Sequence, residues 1–357
     1  MKIDKLLANP KRILIVQTGN IGESVQTVPM LIALRTRFPF TDIAWLCQQE
    51  TAKTLQSHWT VNRFIIVADD WYKTFTGIMN VRRQLHIFAP EVTLNVQGTY
   101  VSGWATWLSG AKRRICKTRN KPVSLPPSDN NGCGNTDIQD NLQLLQIFGV
   151  AGCSIGFDLP ICEMDKRTAT HKLHHIGLNG NYAVINVGAE YEPARWNEER
   201  FGLTAKYLLH QWNLPTLIVW NTRAEERLAE AAIRAAEGAA VPAPWFSPGE
   251  LLAVLRWATV FISSDTPLLH LGAALGTRCI GLYGPTQGTL HAPFGKYNKA
   301  VQVRHWEEKT HSRKIKRDLI DAAETELVCG ICDDVLNEIL KPQTLPLWQK
   351  EPQKKAA

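Results

Sequence analysis

Short apolar runs rich in β-branched residues alternate with stretches of helical periodicity along the whole chain. This alternation is typical of parallel sheets covered by helices. In the first half it predicts four strands, at residues 12–17, 42–47, 63–67 and 91–96. In the second half it predicts four more, at residues 182–187, 215–220, 259–264 and 278–283. The two halves therefore look like two copies of one α/β architecture.

Helical periodicity fills the intervals between these strands. One helix is predicted over residues 23–37, ending at Phe38 because Pro39 cannot continue a helix and restricts the residue before it. Further helices are predicted at residues 137–148, 197–212, 223–237, 248–257, 266–275 and 322–340. The helix at residue 248 has a specific start signal, since Ser247, Pro248 and Glu250 form a capping box with proline in the first turn.

Two stretches lack periodicity and indicate the division of the chain. Residues 117–136 are rich in Pro, Asn, Gly and Ser, which predicts a long loop. Residues 149–180 contain the crossing between the halves, with Pro160 and the charged run near Lys166 as the linker. A chain of 357 residues usually forms two domains. We predict a first domain at 1–165, a second at 166–325, a helix at 326–345 that packs back across a domain, and a basic tail at 346–357.

Composition and charge limit the class of protein. Hydrophobic residues make up 45% of the chain and charged residues 20%, which is a globular balance. The 40 Lys and Arg against 33 Asp and Glu leave a formal charge of +7, with clusters at residues 112–114 and 309–317. A solvated face is the simpler interpretation of these clusters, and contact with phosphate or with a membrane surface is the alternative.

Segments that would indicate export or a membrane span are not recognised in the sequence. No run approaches the ~18 continuous apolar residues of a membrane helix, and the first residues lack a signal-peptide pattern. We therefore expect a cytoplasmic location and reduced thiols. Cys47 and Cys279 lie in apolar runs and read as small hydrophobes. Cys329 and Cys332 have a metal-like spacing with no second pair, so a buried helix face is the simpler interpretation.

A first candidate site lies where the first predicted strand gives way to a helix. It comprises Thr18, Gly19, Asn20, Gly22 and Glu23. The glycines let the backbone turn tightly and approach a ligand, and the start of a helix offers unpaired N–H groups. The spacing matches neither the three-glycine dinucleotide motif nor a P-loop, which needs Gly-Lys-Ser/Thr. A turn that only packs helix on strand is the alternative.

A second candidate site follows the strand predicted at 259–264. Asp265 and Thr266 stand at the start of a helix that carries His270. Either of the first two can simply cap the helix, but open α/β sheets also bind ligands at the carboxyl ends of their strands, where a helix dipole favours a diphosphate. Gly284 and Thr286 close the next strand in a turn, with the Thr286 hydroxyl suited to donate to a phosphate.

Four segments together resemble glycosyltransferase family 9, the ADP-heptose:lipopolysaccharide heptosyltransferases. They are ILIVQTGNIGESVQTVPMLIALRTRFP at 13–39, NVQGTYVSGWATWLSGAKRRI at 95–115, VGAEYEPARWNEERF at 187–201 and FISSDTPLLHLGAALGTRCIGLYGPT at 261–286. The last of these is the most specific. Their order along the chain agrees with the family, and the resemblance covers residues 11–340.

The resemblance implies a GT-B fold of two Rossmann-like parallel-sheet domains, with the acceptor bound by the first, the ADP-sugar by the second and the site in the cleft between them. It implies transfer with inversion at the anomeric carbon, without a metal ion or other cofactor. Glu23 would then take the proton of the acceptor hydroxyl, a reaction open to a positioned carboxylate. Donor contacts would come from Arg195, Asp265, Thr266, His270, Gly284 and Thr286.

The resemblance also implies the partners. The donor is a nucleotide-sugar such as ADP-heptose, and the acceptor is an anionic glycolipid or glycan. Nucleic acid is not an expected partner. Such an acceptor is consistent with peripheral contact with the cytoplasmic face of an inner membrane.

The chain departs from the family pattern at three positions of the expected site. Glu23 stands where the family has an aspartate, Ala194 replaces a lysine expected to meet the phosphates, and Pro267 replaces a glycine. Arg195 is the nearest substitute for the lysine. These changes keep a second hypothesis open, a catalytically silent protein that binds nucleotide-sugar or glycan on the same fold. A third, an NAD-dependent oxidoreductase, lacks the three-glycine fingerprint.

Overall fold

Two separate parallel sheets form the centres of two α/β lobes. The computed structural model describes residues 8–117, 136–150, 155–189, 191–304 and 318–340. The first sheet has the strand order β3-β2-β1-β4-β5, with β1 Arg12–Val16, β2 Asp42–Gln48, β3 Arg63–Val67, β4 Val92–Asn95 and β5 Arg113–Cys116. The second has the order β11-β10-β9-β6-β7-β8, with β6 Ala183–Asn186, β7 Thr216–Val219, β8 Ala240–Pro242, β9 Val260–Ser264, β10 Cys279–Leu282 and β11 Lys299–Val301. The predicted pair of Rossmann-like sheets is confirmed.

Helices cover these sheets as the alternation predicted. The first lobe is the first sheet with α1 Ile21–Val25, α2 Val28–Arg37, α3 Gln49–Leu55, α4 Phe75–Phe88, α5 Tyr100–Leu108 and α6 Thr136–Gln143. The second lobe is the second sheet with α7 Glu163–His175, α8 Glu198–Trp212, α9 Arg223–Ala235, α10 Pro248–Trp257, α11 Pro267–Ala274, α12 Gly288–His291 and α13 Thr325–Asn337. Short 3-10 turns lie at Trp71–Lys73, Leu144–Phe148 and Glu192–Ala194.

All eight predicted strands are present, and three further strands had not been predicted. The additional strands, β5, β8 and β11, lie at sheet edges and are only three or four residues long. Both arginines of β5 are exposed, so the strand carries no apolar run. β8 ends in Pro242, which lacks an N–H for a sheet ladder. Each of these three strands has at most one buried residue, so a search for buried apolar runs misses them.

The single helix predicted at 23–37 was wrong, since the structure has two helices there. α1 ends at Val25, and α2 begins at Val28. Pro29 has no N–H to donate to the carbonyl of Val25, so the ladder breaks at this point. The Thr27 N–H instead donates to the Ser24 carbonyl at 2.9 Å. The break lets α1 stand separately at the start of the first candidate site.

The irregular linker predicted near Lys166 was also wrong, because this residue lies inside α7. Only Ala169 and Leu173 of that helix are buried, so its sequence lacks a wide apolar stripe. α7 packs against α10, and Lys172 Nζ lies 2.7 Å from Glu250 Oε2. The irregular stretch before it is confined to residues 155–162 of the described chain. The predicted limit at residue 165 falls within α7.

The starts and ends predicted for α8, α9, α10 and α11 agree well with the structure, whereas α7 and α12 had not been predicted. The capping box at α10 is confirmed, with the Glu250 N–H donating to Ser247 Oγ and the Ser247 N–H to Glu250 Oε2. α13 lies within the helix predicted at 322–340 and packs against α8. Cys329 and Cys332 point into its buried face, and burial raises the pKa of the Cys329 thiol to about 11. The helix-face interpretation of this pair is therefore confirmed.

The two lobes share one continuous apolar core. Ile15 and Trp45 of the first sheet belong to the same buried cluster as Phe261 and Leu269 of the second lobe. Across this boundary α1 packs directly on α11. The carboxyl end of β1 therefore faces the start of α11.

Three predictions fall outside the described residues, wholly or in large part. They are the loop at 117–136, the basic cluster at 309–317 and the tail at 346–357. In the part of the chain that the structure describes, none of the helices has the length and apolar character needed to cross a bilayer.

Candidate functional site

Amide side chains hold the loop that follows β1. The Gly19 N–H donates to Gln17 Oε1 at 2.9 Å, and both the N–H and the hydroxyl of Thr18 donate to Gln97 Oε1, at 3.2 and 2.8 Å. Asn20 is the N-cap of α1, since its Oδ1 accepts from the Glu23 N–H at 3.0 Å. The predicted strand-to-helix turn is present, and its shape is set by side chains that end buried strands.

The carboxylate of Glu23 folds back over this loop. A Cβ atom on Gly19 would overlap the Glu23 carboxyl group, so glycine is what allows the side chain to lie there. Glu23 is itself exposed. Glycine is needed at position 19 because the Glu23 side chain comes close to its backbone, not because of an unusual backbone angle. The Glu23 carboxylate thus lies on the exposed side of the loop.

Buried hydroxyl and amide groups hold the loop that follows β9. Thr266 occupies the N-cap position of α11, yet its side chain makes no capping bond. Its hydroxyl lies 2.9 Å from Ser263 Oγ and 3.4 Å from the Asn186 amide nitrogen, which also donates to Ser263 Oγ at 3.1 Å. The expected capping position is confirmed for Thr266, but its hydroxyl joins two strands instead of closing the helix.

The two loops meet face to face across the boundary between the lobes. A Cβ on Gly22 would lie 2.8 Å from the Cα of Pro267. Four residues further along, the Gln26 amide nitrogen lies 3.4 Å from Nδ1 of His270. The structure therefore brings together Thr18 to Glu23 of the first predicted site and Asp265 to His270 of the second.

His270 is a neutral imidazole at the centre of this contact. Burial lowers its pKa, and the charge of Asp265 opposes that shift. The charge of His291 also lowers this pKa, while that of Asp137 on α6 raises it. Gln26 faces Nδ1 of the ring, and Nε2 lies 3.9 Å from Asp265 Oδ1. His270 therefore links the two lobes without carrying charge at neutral pH.

Arg195 and Thr286 contribute polar groups that the described chain does not satisfy. Both Arg195 Nε and Thr286 Oγ1 are buried, without a hydrogen-bond partner among the described residues. Arg195 is placed beside the second loop because the next residue, Trp196, donates its N–H to Ser264 Oγ at 3.3 Å. Thr286 follows β10, whose Leu282 pairs with Ser264. Unsatisfied buried groups of this kind are costly, so they favour a site for water or ligand.

Gly284 has a packing role that was not foreseen. A Cβ there would lie 2.7 Å from the backbone nitrogen of Ile320, so the chain after residue 318 passes directly over it. The same stretch is held by Trp196, whose Nε1 donates to the Ala323 carbonyl at 2.9 Å. Arg200 donates to the Asp321 carbonyl at 2.6 Å. The segment at 187–201 therefore both presents Arg195 and fixes the end of the chain over the turn at Gly284.

A separate cleft in the first lobe had not been predicted. It has a volume of about 240 Å³ and is lined by Thr18, Gln48, Val67, Ala68, Asp69, Trp71, Tyr72, Gln97, Thr99 and Val101. Thr18 belongs to both the cleft and the first candidate site. Several lining residues directly follow buried strands, so an amide after an apolar run was the available signal. The described residues contain no group of three His, Cys, Asp or Glu side chains arranged to hold a metal ion.

Comparison with known proteins agrees with this geometry. The sequence pattern of glycosyltransferase family 9 (heptosyltransferase) matches residues 78–320. Lipopolysaccharide heptosyltransferase 1 of Escherichia coli K12 is 27% identical over 298 residues, covering 80% of this chain and 91% of that protein.

Two solved structures share the fold. The glycosyltransferase family 9 protein of Veillonella parvula superposes with a TM-score of 0.76 at 17% identity, covering 93% of this chain and 98% of that one. The Escherichia coli heptosyltransferase WaaC, solved with ADP, has a TM-score of 0.65 at 22% identity, covering 91% and 99%. Two parallel-sheet lobes with facing strand-end loops constitute the GT-B arrangement. This chain belongs to glycosyltransferase family 9, the heptosyltransferases, and is a glycosyltransferase.

Proposed function

We propose that this protein transfers heptose from ADP-heptose to the inner core of lipopolysaccharide or a related anionic glycan. The observation that carries the proposal is the meeting of the two loops. Gly22 lies against Pro267 at the start of α11, and the next residue, Glu23, has an exposed side chain whose carboxylate lies over Gly19. An acceptor hydroxyl at Glu23 and a diphosphate at α11 would share one cleft. The name of the Escherichia coli relative and the ADP bound to WaaC support this choice of sugar and nucleotide.

The proposed reaction is an in-line displacement with inversion. The Glu23 carboxylate takes the proton of the acceptor hydroxyl as its oxygen bonds to the anomeric carbon. The bond from that carbon to the diphosphate breaks, and ADP leaves with the electron pair. Arg195 and the N–H groups at the start of α11 stabilise the charge on the departing diphosphate. In this proposal no divalent ion takes part.

The acceptor would lie in the first lobe and the donor in the second. The 240 Å³ cleft offers amide groups from Gln48 and Gln97, a carboxylate from Asp69, and hydroxyls from Thr18 and Thr99. Such groups suit the hydroxyls of a sugar. We therefore propose the first lobe as the acceptor domain and the second lobe as the donor domain. The protein would work at the cytoplasmic face of the membrane that carries the acceptor.

A catalytically silent binding protein remains the second candidate, because the anion site at α11 is sparse. Pro267 has no N–H, and the Leu269 N–H donates to the Thr266 carbonyl at 3.1 Å. Ala194 is a buried methyl where a lysine was expected. Arg195 must then supply most of the positive charge, and its planar group differs from an ammonium in how it meets phosphate.

Calorimetric titration with ADP, UDP and GDP tests the donor site. We expect selective ADP binding that Arg195→Ala weakens by about tenfold or more, since a charge-assisted hydrogen bond is lost. Arg227→Ala, an exposed arginine on α9, is the matched control and should bind as the wild type does. Failure of the folded protein to bind any of the three nucleotides would contradict the donor assignment.

Turnover then separates the two candidates. Heptose transfer from ADP-heptose to lipopolysaccharide core that lacks heptose, equal with and without a chelator, is the expected result. Nucleotide binding with no product on any native acceptor extract would favour the silent binding protein.

A further inference from the structure

The outer face of the first lobe carries a cluster of exposed aromatic residues. On α5, Tyr100, Trp104 and Trp107 are 96%, 56% and 68% exposed and lie on one side of the helix. On the neighbouring helix α4, Phe75 and Met79 are exposed on the outward side. We name these five residues the aromatic surface. Large clustered apolar patches on a soluble face mark sites of interaction, whereas scattered ones do not.

The aromatic surface does not serve the core, which the opposite sides of the same helices already fill. α4 buries Val81, Leu85 and Phe88, and α5 buries Ala105 and Leu108, all against the same face of the first sheet. Between the exposed rings of α5, a Cβ on Gly103 would meet nothing within 4 Å. The outward face is therefore open.

Exposed basic residues lie on and next to the two helices of the aromatic surface. Residues 71–117 contain seven Lys and Arg and one acidic residue, Glu91. One of the seven, Lys117, is paired with Asp137 and Asp140 on α6. Lys73, Arg82 and Arg83 are exposed on or just before α4. Lys112 and Arg114 are exposed beyond α5. The one acidic group is engaged, because Glu91 Oε2 accepts from the Lys11 N–H at 2.7 Å.

We propose that the aromatic surface and its surrounding basic residues dock the protein on an anionic lipid bilayer. Tryptophan and tyrosine favour the boundary between headgroups and acyl chains, and Lys and Arg are attracted to anionic headgroups. The basic residues beside the rings complement anionic headgroups, which favours a bilayer as the partner.

Docking in this way would present the first-lobe cleft to the membrane. Trp71 and Tyr72 line that cleft immediately before α4, and Thr99 and Val101 line it at the start of α5. This part of the inference rests on the proposed function, in which the acceptor is borne by a lipid.

Vesicle flotation tests the docking surface without donor or acceptor. We expect the wild-type protein to float with phosphatidylcholine vesicles containing about 30% phosphatidylglycerol and far less with pure phosphatidylcholine. Trp104→Ser with Trp107→Ser should lower the partition coefficient about tenfold or more, because two exposed rings are lost. Trp245→Ser removes an equally exposed ring from the second lobe and should bind as the wild type does.

Charge variants test the basic residues next to the aromatic surface. Arg82→Ser, Arg83→Ser and Lys112→Ser together should lower binding roughly fivefold per charge and flatten its dependence on salt. Unchanged thermal midpoints identify variants that fold.

Two results would overturn the inference. Wild-type protein that floats with no vesicle would assign the aromatic surface to a protein partner or a second copy. Equal flotation of the tryptophan double variant and the wild type would remove this surface from membrane binding. Rates of sugar transfer distinguish membrane docking from the proposed function. The tryptophan double variant should be slow only on acceptor embedded in vesicles. Equal slowing on a delipidated acceptor would place the two rings in the acceptor site instead.

Discussion

The loop after β1 and the loop after β9 share one plan, a buried parallel strand that runs into a short helix, yet their side chains differ in kind. The first is held by amides around two glycines and leaves a carboxylate exposed at Glu23. The second is held by buried hydroxyls and leads into a helix that starts with proline. The two loops therefore suit different roles. The first presents a carboxylate that can accept a proton, and the second presents the positive end of the α11 dipole among uncharged side chains.

Removing the carboxylate tests the first half of this comparison and should have the largest effect. Glu23→Gln should lower kcat by about 10²–10⁴-fold, since a general base is lost. ADP affinity should be unchanged, because the proposed donor site lies on the other loop. Rates and calorimetry on the same preparation measure both quantities. Glu199→Gln, an exposed glutamate on α8, is the control; a Glu23 variant that keeps most of its rate would show that another group is the base.

The contact between the loops is tested next. Gly22→Ala would push a methyl group against the Pro267 backbone, so we expect a loss of about 1–3 kcal/mol in the free energy of unfolding together with lower activity. Denaturant unfolding measures it. Gly103→Ala on α5 meets no atoms and should instead gain up to about 1 kcal/mol of helix propensity. If both variants behave alike, the loops do not press on each other in solution.

Restoring a backbone N–H at the start of α11 tests the loop after β9, the second of the two compared loops. Pro267→Gly should tighten ADP binding about three- to tenfold, since one more backbone donor faces the diphosphate. Pro248→Gly makes the same change at the start of α10, away from the site, and should cost some stability without altering affinity. Titration calorimetry decides, and equal affinity of Pro267→Gly and wild type would place the diphosphate elsewhere.

Replacing the neutral His270 should have the smallest effect of these substitutions. Burial lowers the pKa of His270, so the unfolded chain binds a proton at this imidazole more readily than the folded chain does. The free energy of unfolding is therefore unaffected by this group at pH values above its ordinary pKa of 6.5, and it falls as the pH drops below 6.5. His270→Gln should therefore lose less thermal stability than wild type between about pH 7.5 and 5.5. His171→Gln on α7 is the exposed control. A parallel decline of all three proteins in scanning calorimetry would contradict a buried, neutral His270.

The sequence predicted the parts of the fold that are set locally. Buried runs such as β6 and β9 have a pattern of their own, and the α10 start has a capping box. α7 escaped prediction because it buries only two side chains, and the break between α1 and α2 depends on Pro29 being weighed against a good helical pattern. A local sequence pattern predicts a helix or strand only where that element buries enough of its own side chains to make the pattern visible.

The two strand-end loops of the candidate site were predictable from the sequence, but their meeting was not. Strand-end loops at Gly22 and Asp265 were visible in the sequence, whereas their meeting depends on how α1 packs on α11. Gly284 was assigned to the donor, and the structure adds that it makes room for Ile320. The amide side chain of Gln97, 79 residues from Thr18, fixes the first loop through a contact that no local pattern contains.

The hold of Trp196, Arg200 and Gly284 on residues 320–323 has a consequence for biosynthesis. Domains fold as units while the ribosome is still adding residues, with the earlier part first. The first lobe can therefore acquire its sheet early, but the turn at Gly284 gains its cover only after residue 323 has been made. A nascent chain would thus complete the proposed nucleotide-binding lobe last, after the first lobe has formed.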